Sequence, residues 1–494
     1  MLSVLLQYAV IFCLAIPFLI PVFKKHASRI PLIQIVFFLI FIFFLYQQRD
    51  GLPVKLVFGG WQQTIGIEIL LDANSLLFLA ATYIVFLSVI IYSSKKGHDW
   101  KYFFLINLLL SDLTCLFLAN DLFNIYVTLE LMSLISYLLI SIEYKSRQIW
   151  SSLKYMVLSA ISFNLYLLAT AIIYNEYGTL NIALIAKHVI NIPFPFFLLT
   201  TALLIKSGIF FYSMWLPSAH SDSESSISAI LSGVIVNAGI FHVLRITHAI
   251  NCVDISKYIM IVGIISAIFG AYFSIKQKDI KLILAFSTLS QMGFILEGLT
   301  TYGAQYAFSH SIFKTLLFLC AGYYQQIHST RNIETTKKKV PIPLFLAIWI
   351  GFFSISGVPF FLGSFYKHEI MAVSSPFISY GLIFATIGSV ISVGKFPFVI
   401  SPSKKAKHFL EKDFSVLLLS LICIIFGTLG SINHLDFEHL LEPEIVFAFG
   451  LFLLFAFSKK IRIHYPYKLF KLSNVITIYA VVIGVIVVWT SLAF

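Results

Sequence analysis

Three charged residues sit in runs that otherwise read as hydrocarbon. Glu130 lies within "NDLFNIYVTLELMSLISYLLIS" (120–141), Lys206 within "FFLLTTALLIKSGIFFYSMWLP" and Lys314 within "SHSIFKTLLFLCAG". With a helix capped at Asn120 or Asp121, Glu130 falls nine residues in. That is roughly 13–14 Å deep, halfway across a hydrocarbon core ~30 Å thick. A charge at the bilayer centre costs at least ~2.5–3.5 kcal/mol on insertion scales. Residues kept there mark ion or proton pathways by default, with structural ion pairing as the alternative. Lysine suits proton transfer, because burial weakens its hold on a proton and an approaching carboxylate restores it. His310 precedes Lys314 by four residues and shares its helix face, a spacing suited to a relay.

Two further lysines stand near breaks or ends. In "SISGVPFFLGSFYKHE", Gly357, Pro359 and Gly363 interrupt an apolar segment just before Lys367. In "IKSGIFFYSMWLPSAH", Ser207 and Gly208 follow Lys206, with Pro217 beyond. Interrupted helices at corresponding positions of two halves point to inverted-repeat transporters and their binding sites. Lys395, in "GKFPFVISPSKK", lies close to a basic loop and can snorkel instead. The polar run "FSTLSQMG" (Ser287, Thr288, Ser290, Gln291) reads first as interhelical hydrogen bonding, and second as a hydrated lining.

The elements that position these residues follow from composition. The 494 residues are 59% hydrophobic and 11% charged, against about 25% charged in soluble domains. Sixteen apolar segments recur, near 2–22, 30–47, 74–93, 101–119, 121–142, 154–174, 193–214, 226–246, 257–274, 281–299, 304–322, 341–366, 372–398, 414–432, 443–458 and 474–492. The expected fold is an all-α polytopic membrane protein of about 14–16 helices. The first segment has no basic leader and no small-residue cleavage site, so it is read as a helix. Cys13, Cys115, Cys252, Cys320 and Cys423 are scattered, without CxxC or CxxCH, which argues against iron–sulfur ligation, covalent haem and a disulfide scaffold. There is no Walker loop and no Rossmann fingerprint, and neither a metal nor a cofactor is expected.

Lys and Arg concentrate in alternate loops, in clusters such as Lys24/Lys25/Arg29, Lys95/Lys96/Lys101 and Lys404/Lys405/Lys407/Lys412. The intervening loops hold only Arg49, Lys55, Lys187, Arg245 and Lys257. The positive-inside rule then puts the basic loops in the cytoplasm and both termini outside. This distribution, rather than nucleic-acid binding, accounts for the net charge of +12.

These motifs resemble the antiporter-like proton-translocating subunits shared by complex I, membrane-bound hydrogenases and multisubunit sodium/proton antiporters. The likeness runs over roughly residues 60–430. "NDLFNIYVTLELMSLISYLLIS" resembles the family's fifth helix and places Glu130 on its glutamate. "LLIKSGIFFYSMWLPSAHS" resembles the seventh, with Lys206 on the family lysine followed by Trp215, Leu216, Pro217, Ala219 and His220. "KDIKLILAFSTLSQMGFIL" and "HSIFKTLLFLCAG" resemble the next signatures, with His310 and Lys314 on the central relay. "SISGVPFFLGSFYK" resembles the broken twelfth helix, with Lys367 on the terminal charged position.

The resemblance implies a 14-helix core with two inverted five-helix repeats, helices 4–8 and 9–13, broken at helices 7 and 12. In residues these are 1–100 for the first three helices, 101–250 and 251–400 for the repeats, and 401–494 for the C-terminal helices. It implies that Glu130 modulates Lys206, that protons pass by water to His310 and Lys314, and that Lys367 connects to the exit. "ISAILSGVIVNAGIFHVLR" resembles the eighth helix, with Asn237 where many members carry lysine. Asparagine cannot titrate, though it can hold a water. His242 is near Asn237 in sequence but on another face. His220, Asn237, His242 and Lys395 are secondary candidates for the pathway. In "SDSESSIS", Glu224 and Ser226 replace common prolines, which predicts a looser loop.

The motifs look closest to the D-type chain of sodium/proton antiporters and near the M- and N-type chains of complex I. The expected role is a proton-translocating subunit of a cation/proton antiporter, working with other membrane subunits in the plasma membrane. The alternatives are the pump of a redox complex and a divergent scaffold or proton-driven uptake subunit.

Overall fold

The computed structural model describes residues 2–188, 193–250, 252–299, 301–333, 338–432 and 437–457. Its main helices are α1 (Leu2–Ala15), α2 (Arg29–Gln47), α3 (Ala73–Ser93), α4 (Trp100–Leu118), α5 (Leu122–Ile140), α6 (Ser146–Tyr177), α7 (Phe194–Lys206) and α8 (Leu216–Asp222). They continue as α9 (Ser225–Ile250), α10 (Val253–Ile275), α11 (Ile280–Glu297), α12 (Gly303–His328), α13 (Ile342–Ser356), α14 (Ser364–Val373), α15 (Pro376–Phe398), α16 (Leu410–Ile432) and α17 (Phe437–Phe457). Eleven described helices are long and apolar enough to cross a membrane, and α7 and α13 are apolar but shorter. The sixteenth expected segment, 474–492, lies outside the described residues.

Aspartates start several of these helices. Asp72 accepts from the Ser75 N–H, Asp99 from Trp100, Asp121 from Phe123 and Asn124, and Asp279 from Lys281. Each satisfies backbone donors that a helix start leaves without intrahelical partners.

Alternate loops gather at opposite ends of the molecule. Asp72, Asn120, Ile182 and Arg245 surround a cavity of about 340 Å³ at one end. Lys96, Glu143, Glu224, Lys281, Arg331 and Lys412 surround a second cavity of about 340 Å³ at the other. Two small sheets lie among the connections. β1 (Val54–Val57) pairs antiparallel with β2 (Glu68–Leu71), and β3 (Lys338–Val340) pairs parallel with β4 (Ile400–Pro402).

The most enclosed spans are α9, α11 and α12, whereas α1, α2, α5 and α6 keep an exposed apolar side. That arrangement suits a bundle whose outer helices meet lipid or other apolar partners. Small residues let the inner helices close up: a Cβ on Gly239 of α9 would lie 2.4 Å from Ser207 Oγ and 2.5 Å from the Leu203 carbonyl at the end of α7.

The seventh and twelfth spans are each divided. The seventh, expected over 193–214, stops at Lys206 and resumes at Leu216. Gly208 there has φ +65°, and a Cβ would strike Leu216 Cδ1 at 2.5 Å, so only glycine fits. The twelfth, expected to end at 366, runs from Ile342 to Ser356 and again from Ser364 to Val373. Gly357 and Gly363 carry φ +79° and +94° at this break. Polar partners hold both interruptions: Phe210 N donates to Ser266 Oγ (3.1 Å), Phe360 N to Ser431 Oγ (3.2 Å) and Leu362 N to the Cys423 carbonyl (3.0 Å).

Candidate functional site

Glu130 is mid-helix in α5, as its depth predicts, but it stands on the exposed side beside Val127, Leu131 and Leu134. Three residues on, about 60° round the helix, Ser133 faces inward and accepts a hydrogen bond from Lys206 Nζ at 2.8 Å. Lys206 is buried, and its ammonium also rests 3.7 Å from the Phe163 ring centroid of α6. Glu130 and Lys206 interact through space without forming an ion-pair contact. Lys206 is the last residue of α7, where carbonyls lose their helical partners. Trp215 closes that end by donating its indole N–H to the Ile205 carbonyl at 3.2 Å.

Asn237 joins α9 to α12. Its amide donates to Ser311 Oγ (2.8 Å) and the Ala307 carbonyl (3.3 Å) of α12, and to its own Gly233 carbonyl (3.0 Å). Its Oδ1 is buried and has no protein partner, which leaves an acceptor at the junction. Residues Leu231–Ile235 just before it form a turn of π-helix, a distortion frequent at functional sites.

On α12, Lys314 Nζ donates to Ser287 Oγ at 2.5 Å and to the Leu284 carbonyl at 3.1 Å, both on α11. His310, one turn earlier, is fully buried, and neither ring nitrogen has a hydrogen-bond partner. Lys367, three residues into α14, reaches back to the Ile355 carbonyl at 3.0 Å and lies 4.7 Å from the Phe294 ring centroid. Lys314 and Lys367 interact electrostatically. The polar run of α11 bonds to its neighbours: Thr288 to Ser232 (2.7 Å), Ser290 to the Ala267 carbonyl (2.8 Å), and Gln291 to Ser389 (3.1 Å) and Tyr306.

The other candidates divide. His220 stacks on Phe318 with centroids 4.8 Å apart, within electrostatic reach of Lys314 and Lys281. His242 is buried near Arg245, toward the other end of α9 from the Lys314 cluster. Lys395 donates to the Ile275 and Gln277 carbonyls at the end of α10, a helix-capping position beside the basic loops. The loop after His220 is tied down rather than loose. Glu224 binds Lys96 Nζ at 2.6 Å, His98 Nε2 at 3.3 Å and Ser226 Oγ at 2.8 Å. Burial alone would raise this carboxyl, but the neighbouring His98 and the Lys96 charge outweigh it and hold it at about 2.

Several buried ionisable residues escaped the sequence reading. Asp112 in α4 and Glu297 at the end of α11 are buried acids, and Asp112 Oδ2 lacks a hydrogen-bond partner. Applying the intramembrane-charge rule to acids as well as lysines would have found them. Lys281, counted with a loop, is only 3% exposed; its place in the first turn of a helix gave no sign of that.

Residues 119–392 match the family model described as NADH:quinone oxidoreductase/Mrp antiporter, transmembrane. The D-type chain of a Na(+)/H(+) antiporter from Alkalihalophilus pseudofirmus is 29% identical over 369 residues, covering 70% of this chain and 74% of the relative. A "putative antiporter subunit mnhD2" of Staphylococcus aureus is 30% identical over 344 residues, covering 65% and 68%. Among solved structures, a chain of the archaeal membrane-bound sulfane sulfur reductase aligns with TM-score 0.78 at 22% identity. A chain of the Mrp complex from Dietzia sp. aligns with TM-score 0.78 at 20% identity. Each alignment covers 92% of this chain and 97% of the other, and the likeness is one of fold.

Proposed function

Because the chain belongs to the NADH:quinone oxidoreductase/Mrp antiporter transmembrane family, we propose that it is the proton-translocating, D-type subunit of a multisubunit sodium/proton antiporter. The observation that carries this reading is the series of buried lysines, Lys206, Lys314 and Lys367, each held by neutral oxygen acceptors rather than by a carboxylate. A buried ammonium fixed by a carboxylate would be locked as an ion pair. One held by hydroxyls and carbonyls can give up its proton and regain it.

Glu130 is the control element of this scheme. Its charge supports the proton on Lys206 through space, and a cation brought against Glu130 would withdraw that support and drive the proton onward. Asn237 passes no proton itself; its open Oδ1 accepts a water that bridges toward the Ser311 and Lys314 region. His310 and Lys314 form the central station, and Lys367 the last. The two five-span halves, 101–250 and 251–400, act as inverted repeats, supported by a broken fourth span in each and a lysine beside each break.

The exposed Glu130 also argues for partners. A carboxylate at this depth against lipid costs several kcal/mol, so another membrane subunit covers that side of α5. We place the assembly in the plasma membrane with the basic loops in the cytoplasm and the termini outside, on the strength of the loop charges. The test is to purify the tagged chain in mild detergent, identify its companions by mass spectrometry, and reconstitute the assembly in vesicles. Small membrane subunits, together with proton flux driven by a sodium gradient, are the expected result. Iron–sulfur or flavin proteins among the companions would overturn the antiporter assignment in favour of a redox pump.

A further inference from the structure

The connection between α1 and α2, "IPFLIPVFKKHAS" (16–28), is apolar for eight residues and then turns basic. Short 3-10 turns over Ile16–Leu19 and Lys24–His26 take the place of a regular helix, and Pro17 and Pro21 stand in the apolar part. Irregular backbone against lipid is excluded from the hydrocarbon core, so this stretch belongs at the membrane surface. Phe18, Val22 and Phe23 nonetheless keep exposed apolar side chains.

The start of α4 lies beside this connection. Lys24 Nζ is 4.9 Å from the Trp100 ring centroid, the Trp100 and Phe104 rings are 6.4 Å apart, and those of Phe104 and Phe18 are 6.2 Å apart. A cation therefore heads an aromatic series that descends one turn of α4 and crosses to the end of α1. One turn deeper, Leu108 of α4 is only partly buried, and on α1 Leu14 is exposed. From Trp100 to Leu108 the strip is roughly 12 Å long. Lys25 and Arg29 follow Lys24 in the chain and Lys101 follows Trp100, all of them exposed. On the same face Lys95 pairs with Glu411, Lys96 with Glu224 and Arg331 with Asp279. Among the described residues, Lys24, Lys25, Arg29 and Lys101 have no carboxylate partner. Asp99, the acid next to them in sequence, accepts from the N–H of Trp100 at 2.7 Å.

We infer that this face between α1 and α4 seats an anionic phospholipid, with its phosphate among Lys24, Lys25, Arg29 and Lys101 and an acyl chain along Phe18, Phe104 and Leu108. Four basic residues at the edge of a membrane span attract an anionic headgroup. The rings and leucines below take the chain, and Trp100 stands at the boundary, where indole is favoured, and holds Lys24 over its face. A free phosphate would meet the cations but leave the exposed rings uncovered. A zwitterionic lipid would bring a cation of its own against the four. An anionic phospholipid satisfies both halves of the strip.

Native mass spectrometry of the full chain in mild detergent tests this, by titration with phosphatidylglycerol against phosphatidylethanolamine. The unaltered chain should retain phosphatidylglycerol the more tightly. Lys24→Gln, Lys25→Gln and Lys101→Gln together should weaken that binding at least about tenfold. The same loss of charge in another basic loop, through Lys404→Gln, Lys405→Gln and Lys407→Gln, should leave it nearly unchanged. Equal weakening by both triple variants would reduce the effect to diffuse attraction by the basic face and overturn the seat. Glycerol phosphate bound as tightly as the lipid would also overturn it, because the rings would then contribute nothing. Should the Lys24 variant fail to fold, phosphatidylglycerol with a photoreactive acyl chain is bound to the unaltered chain instead. Label on the peptides that hold Phe18 and Phe104 is expected, and label spread evenly over the outer helices overturns the seat. Lipid retention is read without any flux, so neither outcome depends on proton transport.

Discussion

Lys367 donates its ammonium across the break in the twelfth span to the carbonyl of Ile355, 3.0 Å away. Ile355 is the penultimate residue of α13, as Ile205 is of α7, and the Ile205 carbonyl takes the indole N–H of Trp215. Each half-helix end, with its partial negative charge, is therefore closed by a side chain from beyond its own break. In the first the cap is neutral and the lysine turns elsewhere, to Ser133. In the second the lysine is itself the cap, so its proton is tied to the geometry of the break.

Lys367→Met should therefore abolish proton flux while costing only about 1–2 kcal/mol of stability, the scale of a helix-end charge contact. Vesicle flux and thermal unfolding of the same preparation separate the two effects. Normal flux through Lys367→Met would remove this lysine from the pathway.

Glu130→Gln should eliminate transport without loosening the assembly, because the side chain is exposed on α5 and contributes no ion pair to the fold. Its position also makes a contact prediction. Glu130→Cys should crosslink to a cysteine on a neighbouring membrane subunit with a short bifunctional reagent. A residue facing only lipid would yield no such product.

Much of this arrangement can be read from the residues alone, and the exceptions share a cause. Apolar length located the main helices, including the eleven described ones long and apolar enough to cross a membrane, because length and composition are local properties of the chain. Gly208 and Gly357 beside Lys206 and Lys367 signalled the breaks for the same reason. The tightness of the loop after His220 could not be seen, since Glu224 is held by Lys96, 128 residues away. The burial of Lys281 likewise depends on the Ser223 carbonyl from another span. Which side of α5 would carry Glu130 was equally hidden, because α5 is apolar almost all round.

Gly208→Ala tests the first break directly. A Cβ there must accept φ +65° and a 2.5 Å approach to Leu216 Cδ1, and such strain costs of order 1–3 kcal/mol. The variant should unfold at lower temperature and lose flux, since Lys206 sits two residues before the kink. Unchanged unfolding would mean that the break tolerates another path.

The Glu224 latch predicts a pH window. Its carboxyl is held at about 2 against an ordinary value of 4.5. A carboxylate depressed on folding adds stability that is complete above its ordinary value and is lost as pH falls through the folded one. Glu224→Gln should be less stable by about 1–3 kcal/mol at pH 6. The gap between variant and wild type should narrow only below about pH 4.5. Unfolding measured at pH 6, 4.5 and 3.5 checks this, and a gap that persists unchanged at pH 3.5 would assign the loss to packing.

Arg245 should be the strongest single stabiliser of the opposite face. Its guanidinium donates to the Ala119 carbonyl at 2.6 Å, to Ser75 Oγ at 2.8 Å and to Asp72 Oδ2 at 3.2 Å. These bonds fasten α9 to the end of α4 and the start of α3. Removing one partner of a buried ion pair costs about 3–5 kcal/mol, a figure reduced here because the Asp72 side chain remains 30% exposed to screening water. Arg245→Leu should accordingly lose about 2–3 kcal/mol, and Arg245→Lys most of that, since one ammonium cannot span three acceptors spread over the end of α4 and the start of α3. Adding Asp72→Asn to Arg245→Leu should recover part of the loss, because the stranded carboxylate is then gone. A double variant no more stable than Arg245→Leu would show that the main-chain and Ser75 bonds, and not the ion pair, hold this face together.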